Sequence, residues 1–175
     1  MNSLSSTISQ PPINRLWFLS TILFFTICSD QITKHVARNV LAPSEEIHFF
    51  SGLVKMSLVE NHGGFLGIVG NLPTEFRFFF LNIGVALLLF GCLIYLVWFS
   101  GQSSSRTRIP LTIITGGGLS NLLDRLLGNG GVTDFLVIGT GYLQTGIFNL
   151  ADVFILSGSF FLGFHLLRRS ANHLR

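Results

Sequence analysis

The sequence predicts an all-α membrane protein with four transmembrane helices and a small extracytoplasmic β/loop element over a polar site. Three observations support this fold class: 49% of the 175 residues are hydrophobic, only 11% are charged, and the mean hydropathy is +0.60. A typical soluble domain has about 25% charged residues. The 18 phenylalanines and 19 glycines suit helices that pack closely in lipid.

Four apolar segments are candidate transmembrane helices, because a helix needs about 20 residues to cross the bilayer. The first apolar run starts at Leu16 and its pattern continues to Val40, and the second contains Asn82 as its one polar residue. We predict spans at about 16–38, 76–99, 109–127 and 147–167, in a single domain of residues 13–168. Residues 1–12 are predicted to be a disordered tail, and residues 169–175 a cytoplasmic tail.

The distribution of basic residues predicts the orientation in the membrane. The loop at 100–108 and the chain end at 168–175 contain arginines and no acid, and Arg15 precedes the first span. Such basic segments face the cytoplasm, so both termini are predicted to be cytoplasmic. The connections at 39–77 and 128–146 then face outward. Residues 47–60 and 135–138 have strand-like character and would form the small outer sheet.

Several carboxylates lie in or beside the apolar segments, where an ionised carboxylate costs roughly 2.5–3.5 kcal/mol at a helix centre. Neither Asp134 nor Asp152 has a neighbouring cation in the sequence. Carboxylates held in a membrane without a cation indicate a functional site. The predicted topology brings four aspartates to the outer membrane boundary: Asp30, Asp124, Asp134 and Asp152.

Two of these aspartates have cations close by in the sequence, which favours a structural role. Asp30 and Lys34 stand four residues apart on one helix face and can form an ion pair. Asp124 is followed by Arg125, which we expect to be its partner.

The sequence offers little for other kinds of site. The five histidines are scattered without the spacing of metal ligands, so we expect no metal. Ser120 has no obvious base beside it, and the glycines at 116–118 lack the Lys-Ser/Thr of a phosphate loop. Cys28 and Cys92 lie in apolar runs and are predicted to be reduced thiols. The arginines do not form a nucleic-acid patch.

A pair of carboxylates that shares one proton can hydrolyse an amide bond. The ionised member takes a proton from water, and the protonated member donates a hydrogen bond to the carbonyl and later supplies the proton. Two like charges held close do not both ionise easily, so the titrations of the pair separate. At the bilayer surface, such a pair suits a substrate whose scissile bond lies beside a lipid anchor.

Five short motifs in order resemble those of the lipoprotein signal peptidases (type II signal peptidases), which are bacterial intramembrane aspartyl proteases. The motifs are DQITK at 30–34, NHGGF at 61–65, GGLSNLLDR at 117–125, VTDF at 132–135 and FNLAD at 148–152. The resemblance covers about residues 15–168.

The resemblance implies that Asp134 and Asp152 are the catalytic pair. It implies that the substrate is a prolipoprotein, cleaved N-terminal to a diacylglyceryl-modified cysteine, and that globomycin-type peptides inhibit the reaction. It also implies a multi-pass protein of the bacterial cytoplasmic (inner) membrane, in contact with membrane lipids, with the active site at the outer face. The resemblance further implies that no cofactor is needed, and we expect a monomer. The implied supporting and substrate-positioning residues are Asp30, Lys34, Asn61, Gly63, Asn121, Asp124, Arg125 and Asn149.

Four positions depart from the usual family pattern. Phe65 brings an aromatic residue one place early, Ser120 replaces a usual glycine, Thr133 replaces an aliphatic residue, and Val153 replaces a serine. None removes a carboxylate of the pair, but the departures leave room for altered substrates. Two alternative functions stay open: a proton- or ion-coupled carrier, and a divergent non-catalytic membrane protein that binds lipoproteins.

Overall fold

The computed structural model describes residues 12–42, 45–63 and 73–173, and most of them are helical. We number the helices α1 (Pro12–Val40), α2 (Glu75–Gln102), α3 (Ser105–Leu127) and α4 (Leu150–His173). Three of them, α1, α2 and α4, are long and apolar enough to cross a membrane. The prediction of a mostly helical membrane protein is therefore confirmed.

Helix α2 is irregular along its length. It contains two π-helical segments, Phe79–Gly84 and Tyr95–Phe99, around the α-helical segment Val85–Ile94. The buried Asn82 side chain donates a hydrogen bond to the carbonyl of Phe78, 3.1 Å away. The amide nitrogen of Asn82 therefore has a hydrogen-bond partner within its own helix.

Helix α3 lies among the other three helices, and three consecutive glycines allow the close approach. A Cβ atom at position 116, 117 or 118 would lie 2.8 Å from Thr26 of α1, 2.7 Å from the Ala151 carbonyl of α4, or 2.6 Å from Leu89 of α2, respectively. Successive helical residues point about 100° apart, so each glycine faces a different neighbour. Small and polar residues fill the buried side of α3, which explains why it is less apolar than the other helices.

The strands form one small antiparallel sheet in the order β1 (Glu46–Phe49), β2 (Val54–Asn61), β3 (Val132–Thr140) and β4 (Leu143–Gln144). The predicted small sheet is present, and its third strand is longer than expected. A β-bulge interrupts the β2–β3 pairing, after which Val59 lies opposite Asp134 and Asn61 opposite Val132. Asn61 is therefore a diagonal neighbour of Asp134 on the same face of the sheet.

A small apolar core joins α1 to the sheet. Ala37 of α1 and Leu41, which directly follows this helix, are buried against Phe135 of β3. Side chains alternate between the two faces of a strand, so burying Phe135 against α1 turns Asp134 to the opposite face. Partly buried side chains complete this core: Ile47, Met56, Leu58 and Leu136.

The helix of the fourth predicted span starts three residues later than the span, which was predicted at about 147–167. Helix α4 begins at Leu150, because Phe148 pairs with Leu136 of β3 as an isolated bridge. The N–H of Phe148 donates to the carbonyl of Leu136 over 2.9 Å. The same helix continues to His173, so the predicted C-terminal tail is largely helical. Residues 1–11 of the predicted N-terminal tail lie outside the described residues, as does Phe65.

Candidate active site

Asp134 lies in β3 between two asparagines. Its side chain is buried, and each carboxylate oxygen accepts one hydrogen bond: Asn61 Nδ2 donates to Oδ2 over 2.8 Å and Asn149 Nδ2 to Oδ1 over 2.7 Å. Strand pairing explains both neighbours, since β2 brings Asn61 to one side of β3 and the bridge at Phe148 brings Asn149 to the other.

Asp152 forms a reciprocal cap at the start of α4. The N–H of Asp152 donates to Asn149 Oδ1 over 3.0 Å, and the N–H of Asn149 donates to Asp152 Oδ2 over 3.2 Å. This is a capping box, in which a side chain before the helix and one in its first turn satisfy each other's backbone. The positive end of the helix dipole favours a carboxylate there. Asn149 therefore fixes both aspartates.

Asn121 of α3 connects the aspartate pair to a buried cation. Its Nδ2 donates to Asp152 Oδ1 over 3.0 Å. Its Oδ1 accepts hydrogen bonds from Lys34 Nζ (2.8 Å) and Asn149 Nδ2 (3.1 Å). Because two donors hold the amide oxygen, the amide nitrogen must point at Asp152. Only a side chain with both a carbonyl oxygen and an NH₂ group can do this.

Lys34 of α1 lies fully buried between two carboxylates. Its Nζ is 2.7 Å from Asp30 Oδ2 and 3.0 Å from Asp124 Oδ2, which confirms the predicted pairing with Asp30. Asp30 Oδ1 also accepts the backbone N–H of Ala151 over 2.8 Å. The ion pair in α1 therefore holds the first turn of α4, one residue before Asp152.

The predicted pairing of Asp124 with Arg125 is wrong. Consecutive helical residues do not face each other, and Asp124 points to α1 and β3. Its carboxylate accepts hydrogen bonds within 3.3 Å from three side chains and one backbone N–H, those of Gln31, Lys34, Arg38 and Thr133. Asp124 therefore has a bracing position away from the aspartate pair.

Arg125 instead faces the pocket that contains both aspartates. This cavity of about 160 Å³ is lined by Asp134, Asp152 and Arg125, together with Asn61 and Asn121. Arg125 Nη1 lies 3.5 Å from the Asn121 carbonyl, and Nε is buried without a hydrogen-bond partner among the described residues. The guanidinium therefore has donors available for a ligand.

Gly63 contributes through its backbone. Its N–H donates to Asn61 Oδ1 over 2.9 Å, which forms a turn closed by the asparagine side chain. Since this turn occupies the amide oxygen, the amide nitrogen of Asn61 is directed at Asp134. The spacing of Asn61 and Gly63 thus sets the orientation of one donor to the carboxylate.

Two of the departures from the family pattern are part of the bracing network. Ser120 Oγ donates to Asp30 Oδ2 over 2.7 Å and accepts from Gln31 Nε2 over 3.0 Å. Thr133 Oγ1 accepts from Arg38 Nε over 3.0 Å. Gln31 and Arg38 were not among the predicted site residues. Arg38 could have been found, because it follows Lys34 by four residues on one helix face.

The surroundings of Asp134 favour its protonated form. Burial raises the pKa of the Asp134 carboxyl to about 6, and the negative charge of Asp152 acts in the same direction, while the hydrogen bond from Asn61 opposes the shift. Asp134 therefore keeps its proton at pH values where an ordinary aspartate is ionised. This behaviour is typical of carboxylate pairs that share one proton.

We expect stability to depend on pH through Asp134. Its pKa is about 6 in the folded protein against 3.8 ordinarily, so the folded state binds this proton more tightly than the unfolded state. The Asp134 contribution to the free energy of unfolding therefore falls as pH rises from about 4 to about 6, by at most about 1.4 kcal/mol per pH unit. Thermal unfolding in detergent across this range measures the trend. Asp134→Asn should lack the part of the pH dependence that comes from Asp134. An identical pH dependence in both proteins would contradict the raised pKa.

Comparisons with known proteins find a family and individual relatives that match most of this chain. The chain matches the family described as "Signal peptidase (SPase) II" over residues 22–168. It is 31% identical to the lipoprotein signal peptidase of Caldicellulosiruptor bescii over 87% of this chain and 93% of that protein. It is also 31% identical to that of Burkholderia vietnamiensis over 95% of this chain and 97% of that protein.

A solved structure shares the fold. The chain superposes on a bacterial membrane enzyme determined by the in meso method at 2.3 Å resolution, with a TM-score of 0.75 and 24% identity. The superposition covers 89% of this chain and 90% of the other. Together with the family match, which spans most of the sequence, these relatives show that the chain belongs to the signal peptidase II family.

Proposed function

We propose that this chain is an aspartic endopeptidase that removes signal peptides from diacylglyceryl-modified prolipoproteins, with Asp134 and Asp152 as the catalytic pair. The cut lies N-terminal to the lipid-modified cysteine. The observation that carries the proposal is that both carboxylates line one pocket and that Asn149 contacts both of them. Its side chain donates to Asp134, and its backbone N–H donates to Asp152.

In this mechanism the pair begins with one proton. Asp134 holds it, in accord with its raised pKa, and Asp152 is ionised at the start of α4. Asp152 takes a proton from water as the oxygen attacks the scissile carbonyl carbon, and Asp134 protonates the carbonyl oxygen. The resulting diol collapses as the nitrogen takes the proton from Asp152 and the hydroxyl returns its proton to Asp134. The C–N bond breaks and the pair is restored.

Arg125 is our candidate for binding a backbone carbonyl of the substrate, because its Nε is buried and unused among the described contacts. The amides of Asn61 and Asn149 bind Asp134 and orient it. An apolar cavity of about 500 Å³ beside Asp152 is lined by Phe148, Val153 and Leu156. We assign it to apolar parts of the substrate. Val153 lines this cavity where a serine is usual in the family.

The membrane arrangement follows from the fold and the charges. Helix α3 is 23 residues long, about 34 Å, which is enough to serve as the fourth span although its buried side is polar. We place both termini in the cytoplasm and the aspartate pair at the outer face. The reason is that the helix ends with arginines, at Arg15, in the loop at 100–108 and at 168–175, lie at the other end of the helices from the pair. Residues 13–168 would form one monomeric domain.

The two alternatives are less well supported. The family match and the relatives do not favour a carrier. A non-catalytic lipoprotein-binding protein would have no need for Asn149 and Asn121 to hold two carboxylates in one pocket.

Purified protein in liposomes should cleave a diacylglyceryl-modified prolipoprotein and leave the same precursor without lipid intact. The reason is that the apolar cavity beside Asp152 holds the lipidated segment at the pair. Mass spectrometry of the products identifies the bond, which should leave the lipidated cysteine at the new N-terminus. Equal cleavage of the unlipidated precursor, or no cleavage by folded protein, would reject the proposed substrate.

A further inference from the structure

A groove between α3 and α4 lies far from the aspartate pair. It has a volume of about 590 Å³. Arg168, at one end of the groove, is about 24 Å along the axis of α4 from Asp152, at about 1.5 Å per residue. The groove is therefore separate from the catalytic pocket and from the apolar cavity beside Asp152.

The two helices that form the groove run antiparallel. A Cβ atom on Gly117 would meet Ala151 and one on Gly158 would meet Pro110, at 2.7 Å and 2.9 Å respectively. The start of α3 therefore lies beside the end of α4. Because Gly158 has no side chain, the helix backbones approach closely there, and the groove runs along this contact.

The groove changes from basic to apolar along its length. Arg106 of α3 and Arg168 of α4 line the end near the first turn of α3, where His165 also lies. The walls become apolar towards the middle of both helices, where the lining residues include Ile109, Pro110, Ile113 and Phe161. A ligand that fits both ends must carry an anionic group and an apolar chain.

Among the described residues, no acid pairs with the basic end of the groove. The sequence has no aspartate or glutamate between Glu75 and Asp124 and none after Asp152. Within the described ranges, the ion pairs involve neither Arg106 nor Arg168. The Arg168 guanidinium instead stacks on the Phe164 ring, 4.4 Å from its centroid.

We propose that this groove binds one anionic glycerophospholipid of the surrounding bilayer. The lipid phosphate binds Arg106 and Arg168 through charge-assisted hydrogen bonds, and an acyl chain lies along Ile109 and Phe161. Phe161 is 60% exposed, so the groove opens sideways to the bilayer. Basic pockets between membrane helices suit anionic headgroups. The bound lipid would hold together α3 and α4, the helices that carry Asn121 and Asp152.

The test is a binding titration on the full chain in detergent with phosphatidylglycerol that carries a fluorophore on one acyl chain. We expect saturable binding of one lipid, at least about tenfold tighter than phosphatidylcholine with the same label. Arg106→Gln and Arg168→Gln should each weaken binding at least about fivefold. Arg169→Gln is the matched control: it removes the same charge one residue further along, does not line the groove, and should change affinity less than about twofold.

Three results would overturn the proposal. The first is equal affinity for phosphatidylcholine, which would mean that the headgroup charge is not recognised. The second is an equal loss of affinity in Arg168→Gln and Arg169→Gln, which would indicate that the lipid responds to the overall positive charge at this end and not to the groove. The third is displacement of the lipid by equimolar glycerol 3-phosphate, which would indicate a phosphate site. Size-exclusion profiles that match the unchanged protein check the folding of the variants, and the binding readout does not depend on peptidase activity.

Discussion

Asp134→Asn and Asp152→Asn are each expected to reduce prolipoprotein cleavage by at least about 10²-fold, the lower end of general acid–base contributions. Each change removes a carboxylate that must take up or release a proton, and it leaves the volume of the side chain almost unchanged. Gel-shift rates with the diacylglyceryl-modified substrate measure the loss. Glu60→Gln is the matched control, because Glu60 is a half-exposed carboxylate of β2 outside the aspartate pocket. It should leave the rate within about twofold.

Both variants should be less stable than the unchanged protein, because each places an NH₂ group where an asparagine amide now donates. Asp134→Asn does so opposite Asn61 or Asn149. Asp152→Asn does so opposite Asn121, although its remaining carbonyl oxygen still accepts the N–H of Asn149 in the cap of α4. Each variant should therefore unfold at a lower temperature at neutral pH. Near-normal turnover by either variant would reject the assignment of the pair. A variant that unfolds at the assay temperature says nothing about catalysis, so unfolding is measured in the same detergent.

Lys34→Met is expected to cost about 3–5 kcal/mol of folding free energy. Methionine fills the space of the buried stem, but it leaves Asp30 and Asp124 without the cation that now lies 2.7 Å and 3.0 Å from them. The carboxylates are buried, so the loss of the ion pair is not compensated by water. Chemical or thermal unfolding in micelles measures the effect.

Lys55→Met is the matched control for this prediction. Lys55 lies on β2 and contacts the Gln144 side chain at 3.3 Å near the protein surface, so its loss should cost less than about 1 kcal/mol. The double variant Lys34→Met with Asp30→Asn should be more stable than Lys34→Met alone, because one unpaired charge is removed. Equal stability of the two single lysine variants would show that the buried cation is not needed for folding.

The helices and the sheet could be predicted from the sequence because their signals are local. Apolar runs of about 20 residues indicate membrane helices wherever they occur in a chain. The paired spacing of Asp30 and Lys34 likewise needed only the helical repeat, and the structure bears it out. The boundary of α4 was missed because Phe148 pairs with β3, which lies on a different part of the chain.

The cation partners of Asp124 show what local reasoning could not reach. Arg125 is adjacent in sequence, yet Asp124 pairs with Lys34 of α1, because α3 turns one side to α1 and another to the pocket. The glycines were expected to allow close helix packing, but which helix each glycine at 116–118 touches depends on how the bundle is assembled.

The sequence by itself determined the membrane class, the helical segments, the strand segments and the family motifs, since each depends on residues close together in the chain. Only the tertiary structure decided which donors bind each carboxylate. Asn61, Asn121 and Asn149 come from β2, α3 and the start of α4, and their amides meet the aspartates only when these elements pack together. Buried polar groups must find partners, and it is the packing of distant segments that supplies them.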